Sequence, residues 1–269
     1  MPAQPAAAPA SPAATAAAAS DSPSHLGMVL LASPILPTAD AVIAAYADIA
    51  GAAAPLTLAD RNDVTLIFDV GIDETAIVAL MPAPVPDGEA DDAARFSLSG
   101  HAGWKLPAHR AHLIVHVSGP EGLAPIAVLR DATHVLAAIT KASDAVGVYV
   151  GAASATHEPS FYVDTARRTQ TPVMLWNGFS LAREPDGRLS LLSLGMKSLG
   201  LKDLLLTAPP AQGPAALEYF FMLLAYVADR GEDLPDGDTV GRTEEEVLPV
   251  RHVPSPLGDG RTVWRVDMP

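Results

Sequence analysis

The sequence predicts an α+β fold, in which mixed, mainly antiparallel sheets carry helices on one face. Short β-branched and apolar runs, separated by glycine, proline and aspartate, predict the strands. Longer stretches with apolar residues three and four positions apart predict amphipathic helices between them. The chain has 269 residues, of which 49% are hydrophobic and 18% charged, so it is long enough and apolar enough to fold around a core of its own.

The first part of the chain has the element order β-α-β-β-α-β, which is the split βαβ, or ferredoxin-like, order. The predicted elements are a strand at 26–32, a helix capped by Thr38 or Asp40 and ended by Gly51, a hairpin of strands 63–70 and 74–81, a weak helix at 90–96 and a strand at 111–117.

A similar order follows in the second part of the chain. The predicted elements are an amphipathic helix at 122–141, a strand at 146–150, a helix at 159–168, a hairpin of 172–183 and 188–196, a strand at 203–207, an almost wholly apolar and therefore central helix at 217–229, and strands at 247–252 and 262–266. We therefore expect two tandem ferredoxin-like halves, at 25–120 and 121–269, behind a disordered Ala/Pro-rich tail at 1–24.

Composition excludes several classes of site and partner. The chain has no cysteine, which excludes disulfides, thiolate nucleophiles, zinc fingers and iron–sulfur clusters and fits a cytoplasmic protein. Its formal net charge of −14 and the lack of a basic run disfavour nucleic-acid binding. No stretch is apolar over the ~18 residues of a membrane span, and the N-terminus lacks the basic start of a signal peptide, so we expect no membrane association.

Three of the eight histidines lie in the stretch HRAHLIVHV, residues 109–117. Leu113, Ile114 and Val115 favour a strand, on which His112 and His116 share a face but lie ~13 Å apart at about 3.3 Å per residue. Two ligands of one metal ion cannot span that distance, and His109 falls on the opposite face. We expect no metal site here, although one of these histidines could still join a distant ligand. The simpler interpretation is that His112 and His116 are half-buried and bond across the sheet.

Two further stretches are candidates for ligand binding. In GAASATHEP, residues 151–159, small residues precede a helix start, where free amides can bind an anion beside His157 and Glu158; an ordinary β-to-α turn is the simpler interpretation. In LPDGDTVGRTEEE, residues 234–246, Asp236 and Asp238 do not have EF-hand spacing, and a solvated Asp/Gly turn is favoured.

Motifs for nucleophiles, phosphates and dinucleotides are missing from the sequence. H-E-x-x-H, G-x-G-x-x-G and the P-loop are absent, and the G-F-S-L-A run at 178–182 departs from G-x-S-x-G in its last residue. No catalytic residue can therefore be assigned, and no cofactor is expected.

The C-terminal third resembles a known bacterial family. The apolar helix, the run L-P-D-G-D-T-V-G and the strand V-R-H-V-P-S, together with GVYVGAASATHEPSFYVD and WNGFSLARE upstream, are similar to the family catalogued as domain of unknown function 4261. The resemblance covers residues 26–269 and is most specific at 215–256. It implies no activity, but it does imply that residues 236–239 have a structural or functional role beyond that of a solvated turn.

Two hypotheses for function follow from the sequence. The leading one is a non-enzymatic cytoplasmic protein, of an accessory or immunity type, whose acidic charge suits a protein partner with a basic surface. The alternative is a hydrolase or small-ligand-binding protein, with a site between the two halves drawn from His112, His116, His157, Glu158, Asp236, Asp238 and Arg251. The two are distinguished by whether these side chains converge in one cleft.

Overall fold

The computed structural model describes residues 22–51 and 55–269 of the chain and contains fourteen strands within them. The strands are β1 (Ser24–Leu31), β2 (Leu56–Arg61), β3 (Thr65–Val70), β4 (Glu74–Met81), β5 (Ala111–Ser118), β6 (Ala145–Val150), β7 (Ala155–His157), β8 (Phe179–Arg183), β9 (Leu189–Ser193), β10 (Leu204–Ala208), β11 (Thr239–Val240), β12 (Leu248–Pro249), β13 (Arg251–Pro254) and β14 (Thr262–Asp267).

Seven α-helices connect these strands in the described ranges. They are α1 (Ala39–Ala50), α2 (Glu89–Ala94), α3 (Leu98–His101), α4 (Pro125–Ala142), α5 (Pro159–Arg168), α6 (Val173–Trp176) and α7 (Gly213–Arg230). Thr38 caps α1 as predicted, because its hydroxyl accepts a hydrogen bond from the Ala41 amide at 3.3 Å. In this part of the chain, no helix combines the length and apolar character needed to cross a membrane.

The first sheet has seven strands in the order β2-β3-β4-β5-β1-β6-β7, and every pair is antiparallel. Along β5, Leu113, Val115 and Val117 point into the core, which α1 and α4 cover. At Gly27 of β1, an added Cβ would lie 2.7 Å from a methyl carbon of Leu136, so glycine lets α4 approach the sheet closely. The opposite face, at Leu30 and Tyr149, is partly covered by α2.

The second sheet has five strands in the order β13-β14-β10-β9-β8. β10 and β14 are parallel, and the other neighbouring pairs are antiparallel. Helix α7 packs on this sheet, and its buried face joins the same hydrophobic core as the first sheet. β11 and β12 form a separate two-stranded ribbon.

The α+β class predicted from the sequence is confirmed, since mainly antiparallel sheets pack with helices. The two tandem ferredoxin-like halves are not confirmed. In the first sheet, the four strands of the predicted first half are adjacent in the order β3-β4-β5-β1, but β2, β6 and β7 extend them. The second sheet has a different strand order and a parallel pair.

The predicted boundary at residue 120 does not coincide with a boundary between the sheets, because β6 and β7 follow it in the chain and pair in the first sheet. The division into 25–120 and 121–269 stays a prediction. The predicted tail lies outside the described residues up to residue 21, and Ser24 already belongs to β1.

Three local predictions are wrong or incomplete. β2 was not predicted, because it lies at a sheet edge and carries charged residues at its end. β7 was not predicted either, since it has only three residues. The strand predicted at 172–183 begins instead with the helical turn α6, and only Phe179–Arg183 is extended.

Candidate functional site

The structure confirms that HRAHLIVHV contains a strand, and it gives its histidines different surroundings. His112 is 5% exposed, and its Nδ1–H donates a hydrogen bond to the Ala83 carbonyl oxygen at 2.8 Å. His116 is half-buried on the same face, between its cross-strand neighbours Leu26 and Ile77. The ring of His109, just before β5, accepts a hydrogen bond from the Val85 amide at 3.0 Å. Burial lowers the pKa of His109, so this ring stays an acceptor at neutral pH.

His157 does not lie at an open helix start. It ends β7, is completely buried, and donates from Nε2 to the Leu175 carbonyl oxygen at 3.1 Å. Burial lowers its pKa to about 4, so the ring is neutral at physiological pH. Glu158, at the N-cap position of α5, accepts a hydrogen bond from the Ser160 hydroxyl at 3.1 Å. The predicted β-to-α turn is therefore a short strand followed directly by the helix.

The stretch at 234–246 is more ordered than the predicted solvated turn. Asp236 accepts a hydrogen bond from the His252 amide at 2.7 Å, and the His252 ring donates to the Leu234 carbonyl at 2.8 Å. Gly237 has φ +87°, a left-handed backbone that favours glycine, and its amide donates to the Val250 carbonyl. Asp236 and Gly237 thus fasten this stretch to residues 248–252. Arg251 is exposed on β13, where it is paired in register with Arg265.

A groove of about 300 Å³ lies between α7 and this fastened stretch, and we call it the α7 groove. Its lining residues are Tyr219, Met222, Leu223, Tyr226 and Arg230 from α7, with Leu234 and Asp238–Gly241 on the other side. The prediction that α7 is central holds for one face only. Met222 and Tyr226, one helical turn apart, are 51% and 52% exposed.

Acidic side chains surround the α7 groove. Residues 229–246 contain eight acidic residues and two arginines. Arg230 is paired with Glu232 at 2.8 Å, and Arg242 is paired with Glu246, whose pKa falls to about 2 because the guanidinium donates to its carboxylate. Asp238 lines the groove itself. The potential at this surface is therefore negative.

The seven site residues predicted from the sequence do not converge in the α7 groove. Of these, Asp238 lines it, and Asp236 fastens one of its walls. His112 and His116 lie on β5, while His157 lies on β7, which is three strands, or roughly 14 Å, away across the sheet. Glu158 follows β7, and Arg251 lies on the edge strand of the other sheet.

Sequence reasoning missed the aromatic and apolar lining of the groove. The sequence predicts that Met222 and Tyr226 are core because the helix is apolar on nearly every side, but both are half exposed, whereas Tyr219 is buried as predicted. The sequence carries no signal for these two residues, because the packing of α7 on the second sheet decides which face of the helix stays exposed.

Comparison with known proteins supports the family resemblance over this region. Residues 192–267 match the family model DUF4261, described as a domain of unknown function. The match begins within β9 and ends with β14, so it includes α7 and both walls of the α7 groove, and the predicted resemblance is confirmed there. Searches of curated proteins and of solved structures found no match.

Proposed function

We propose that this protein acts by binding another protein, without catalysis, and that the partner presents a segment of basic and apolar side chains to the α7 groove. The observation that carries this proposal is the pair Met222 and Tyr226, two large side chains that are half exposed on one helix face. Exposed aromatic residues and methionine are enriched at protein interfaces, where their apolar surface is covered on binding.

The charge around the groove specifies the partner further. Arg230 and Arg242 are already neutralised by Glu232 and Glu246. Arg130 and Lys202 pair with two further carboxylates, so half of the eight acidic residues have no ion-pair partner among the described residues. A basic partner would be attracted and an acidic one repelled, which favours fast association and rejection of wrong partners. Lysine and arginine also suit the aromatic face of the half-exposed Tyr226.

The alternative of a hydrolase gains no comparable support. The rings of His112 and His157 are buried and hydrogen-bonded to main-chain carbonyls. Neither ring lines the α7 groove. Of the residues predicted from the sequence, Asp238 lines it. We also propose a cytoplasmic location, in keeping with the absence of cysteine from the sequence.

Selection from random linear peptides displayed on phage tests the proposal with the full chain as bait. We expect enriched sequences that combine lysine or arginine with leucine, phenylalanine or methionine. The double variant Met222→Ser/Tyr226→Ser should lose this enrichment, since it removes the exposed apolar surface without adding charge. Ile72→Ser is the matched control, because Ile72 is 96% exposed in the turn between β3 and β4. No enrichment, or equal enrichment by the double variant, would contradict the proposal.

A further inference from the structure

Tyr219 lines the α7 groove, and its buried hydroxyl group has no hydrogen-bond partner among the described residues. Tyr219 is only 2% exposed, and its hydroxyl is buried. Burial raises the pKa of this phenol to about 12, so it keeps its proton at neutral pH and remains a donor. A buried hydroxyl without a partner is costly, and where it lies in a groove it marks a position at which a bound molecule can supply the acceptor.

An ion pair lies beside the Tyr219 ring. The Arg242 guanidinium lies over the Tyr219 ring, 5.9 Å from its centroid, and Glu246 holds it with hydrogen bonds to the Arg242 amide at 2.7 Å and to Nε at 2.8 Å. Glycine at position 241 lets the main chain pass close to Glu246, because an added Cβ would lie 2.0 Å from the Glu246 carbonyl oxygen. We refer to Arg242 and Glu246 as the clasp.

The clasp can move without disturbing the core. Its side chains belong to residues four positions apart in one surface segment, and those of Arg242 and Glu246 are 33% and 15% exposed. Surface ion pairs contribute little net stability, because ordering two long side chains costs entropy and water screens their attraction. Displacing the clasp would remove the Arg242 guanidinium from beside the Tyr219 ring.

Building on the proposed function, we propose that the bound segment displaces the Arg242–Glu246 clasp and that the Tyr219 hydroxyl then donates a hydrogen bond to an uncharged acceptor of that segment, a main-chain carbonyl oxygen. An uncharged acceptor suits the site because the surrounding carboxylates repel an anionic one. Tyr219 then determines how the segment is positioned, while Met222 and Tyr226 contact its apolar side chains.

Fluorescence anisotropy with a fluorescein-labelled peptide of alternating lysine and leucine tests this assignment on the full chain. Tyr219→Phe should weaken binding about five- to tenfold, while its melting temperature is unchanged or higher, because the variant removes an unsatisfied hydroxyl. If Tyr219 has only a structural role, the same variant should lower the melting temperature and leave the affinity unchanged.

Glu246→Gln tests the clasp, and Glu245→Gln is its matched control because it removes the same charge from an exposed residue outside the clasp. We expect Glu246→Gln to bind the peptide severalfold more tightly than Glu245→Gln does. Equal affinity of these two variants, or equal affinity of Tyr219→Phe and the unmodified chain, would overturn this inference and leave the proposed function standing. A lack of any binding by the unmodified chain would overturn both.

Discussion

Glu74, the first residue of β4, faces Asp131 of α4, so two carboxyl groups meet between a strand and a helix. Glu74 is 8% exposed, and one of its oxygens has no partner among the described residues. Burial, followed by the hydrogen bond and the charge of Asp131, raises the pKa of Glu74 from 4.5 to about 8. A proton shared between the two groups relieves the repulsion of their charges.

Glu74→Gln should therefore stabilise the protein at neutral and alkaline pH. The folded-state pKa of Glu74 is above its unfolded value. Its contribution to the free energy of unfolding is therefore fully present below pH 4.5 and is lost as the pH rises to about 8. We expect a gain in the free energy of unfolding on the order of 3 kcal/mol at pH 8 and almost none at pH 4.5. Urea denaturation across this range measures it, with exposed Glu121→Gln as control. A pH-independent effect would contradict the shared proton.

The buried histidines should give the opposite pH dependence. Burial lowers the pKa values of His25 and His157 to about 4, so both rings favour folding when neutral. Their contribution to the free energy of unfolding is present above pH 6.5 and is lost as the pH falls toward 4. The free energy then changes by about 1.4 kcal/mol per pH unit for each ring. His157→Asn should reduce the measured slope by about that amount, and His25→Asn by a similar one. An unchanged slope in both variants would show that other groups cause acid unfolding.

His112→Ala should cost more stability than His116→Ala. His112 is buried and donates to the Ala83 carbonyl, whereas His116 is half-buried between Leu26 and Ile77. We expect losses in the free energy of unfolding of about 2 kcal/mol for His112→Ala and of at most about 1 kcal/mol for His116→Ala. Elemental analysis of both variants should show the same metal content as the unmodified chain. A metal lost with either histidine would contradict the interpretation of this strand as structural.

Gly241→Ala should loosen the wall of the α7 groove. The added methyl carbon would lie 2.0 Å from the main-chain oxygen of Glu246, which cannot move aside as a flexible side chain does. We expect a loss of stability of about 1–3 kcal/mol by thermal denaturation. Gly237→Ala is a useful comparison, because its Cβ meets open space and only its φ of +87° costs energy, about 1 kcal/mol. Equal stability of Gly241→Ala and the unmodified chain would contradict the close approach.

Helices and hairpins whose pattern lies in neighbouring residues could be predicted from the sequence. The β3–β4 hairpin follows from two apolar runs around Gly71, which has φ +60° in the turn, and α5 begins at Pro159 and ends at Arg168, as its proline and apolar spacing predict. The order of strands was less accessible, because the pairing of β10 with β14 joins residues about sixty positions apart and depends on the whole fold.

Only the acidic residues of the candidate site could be predicted from the sequence. Asp236 and Asp238 stand out in the sequence because turn residues cluster around them. Met222 and Tyr226 do not, because an apolar helix in a sequence predicts burial on every side, and only the packing of α7 on the second sheet decides which face is left exposed. Tyr219 likewise becomes informative only when the surroundings of its hydroxyl are known.

Isothermal titration calorimetry of the full chain with two peptides, one of alternating lysine and leucine and one of alternating glutamate and leucine, tests the central claim most directly. We predict that the lysine peptide binds and that Asp238→Asn and higher salt weaken its binding. Met222→Ser/Tyr226→Ser should weaken it more than Ile72→Ser does. The glutamate peptide should not bind. Equal binding of both peptides, or binding of neither, would contradict the assignment of the α7 groove as the contact site for a basic partner.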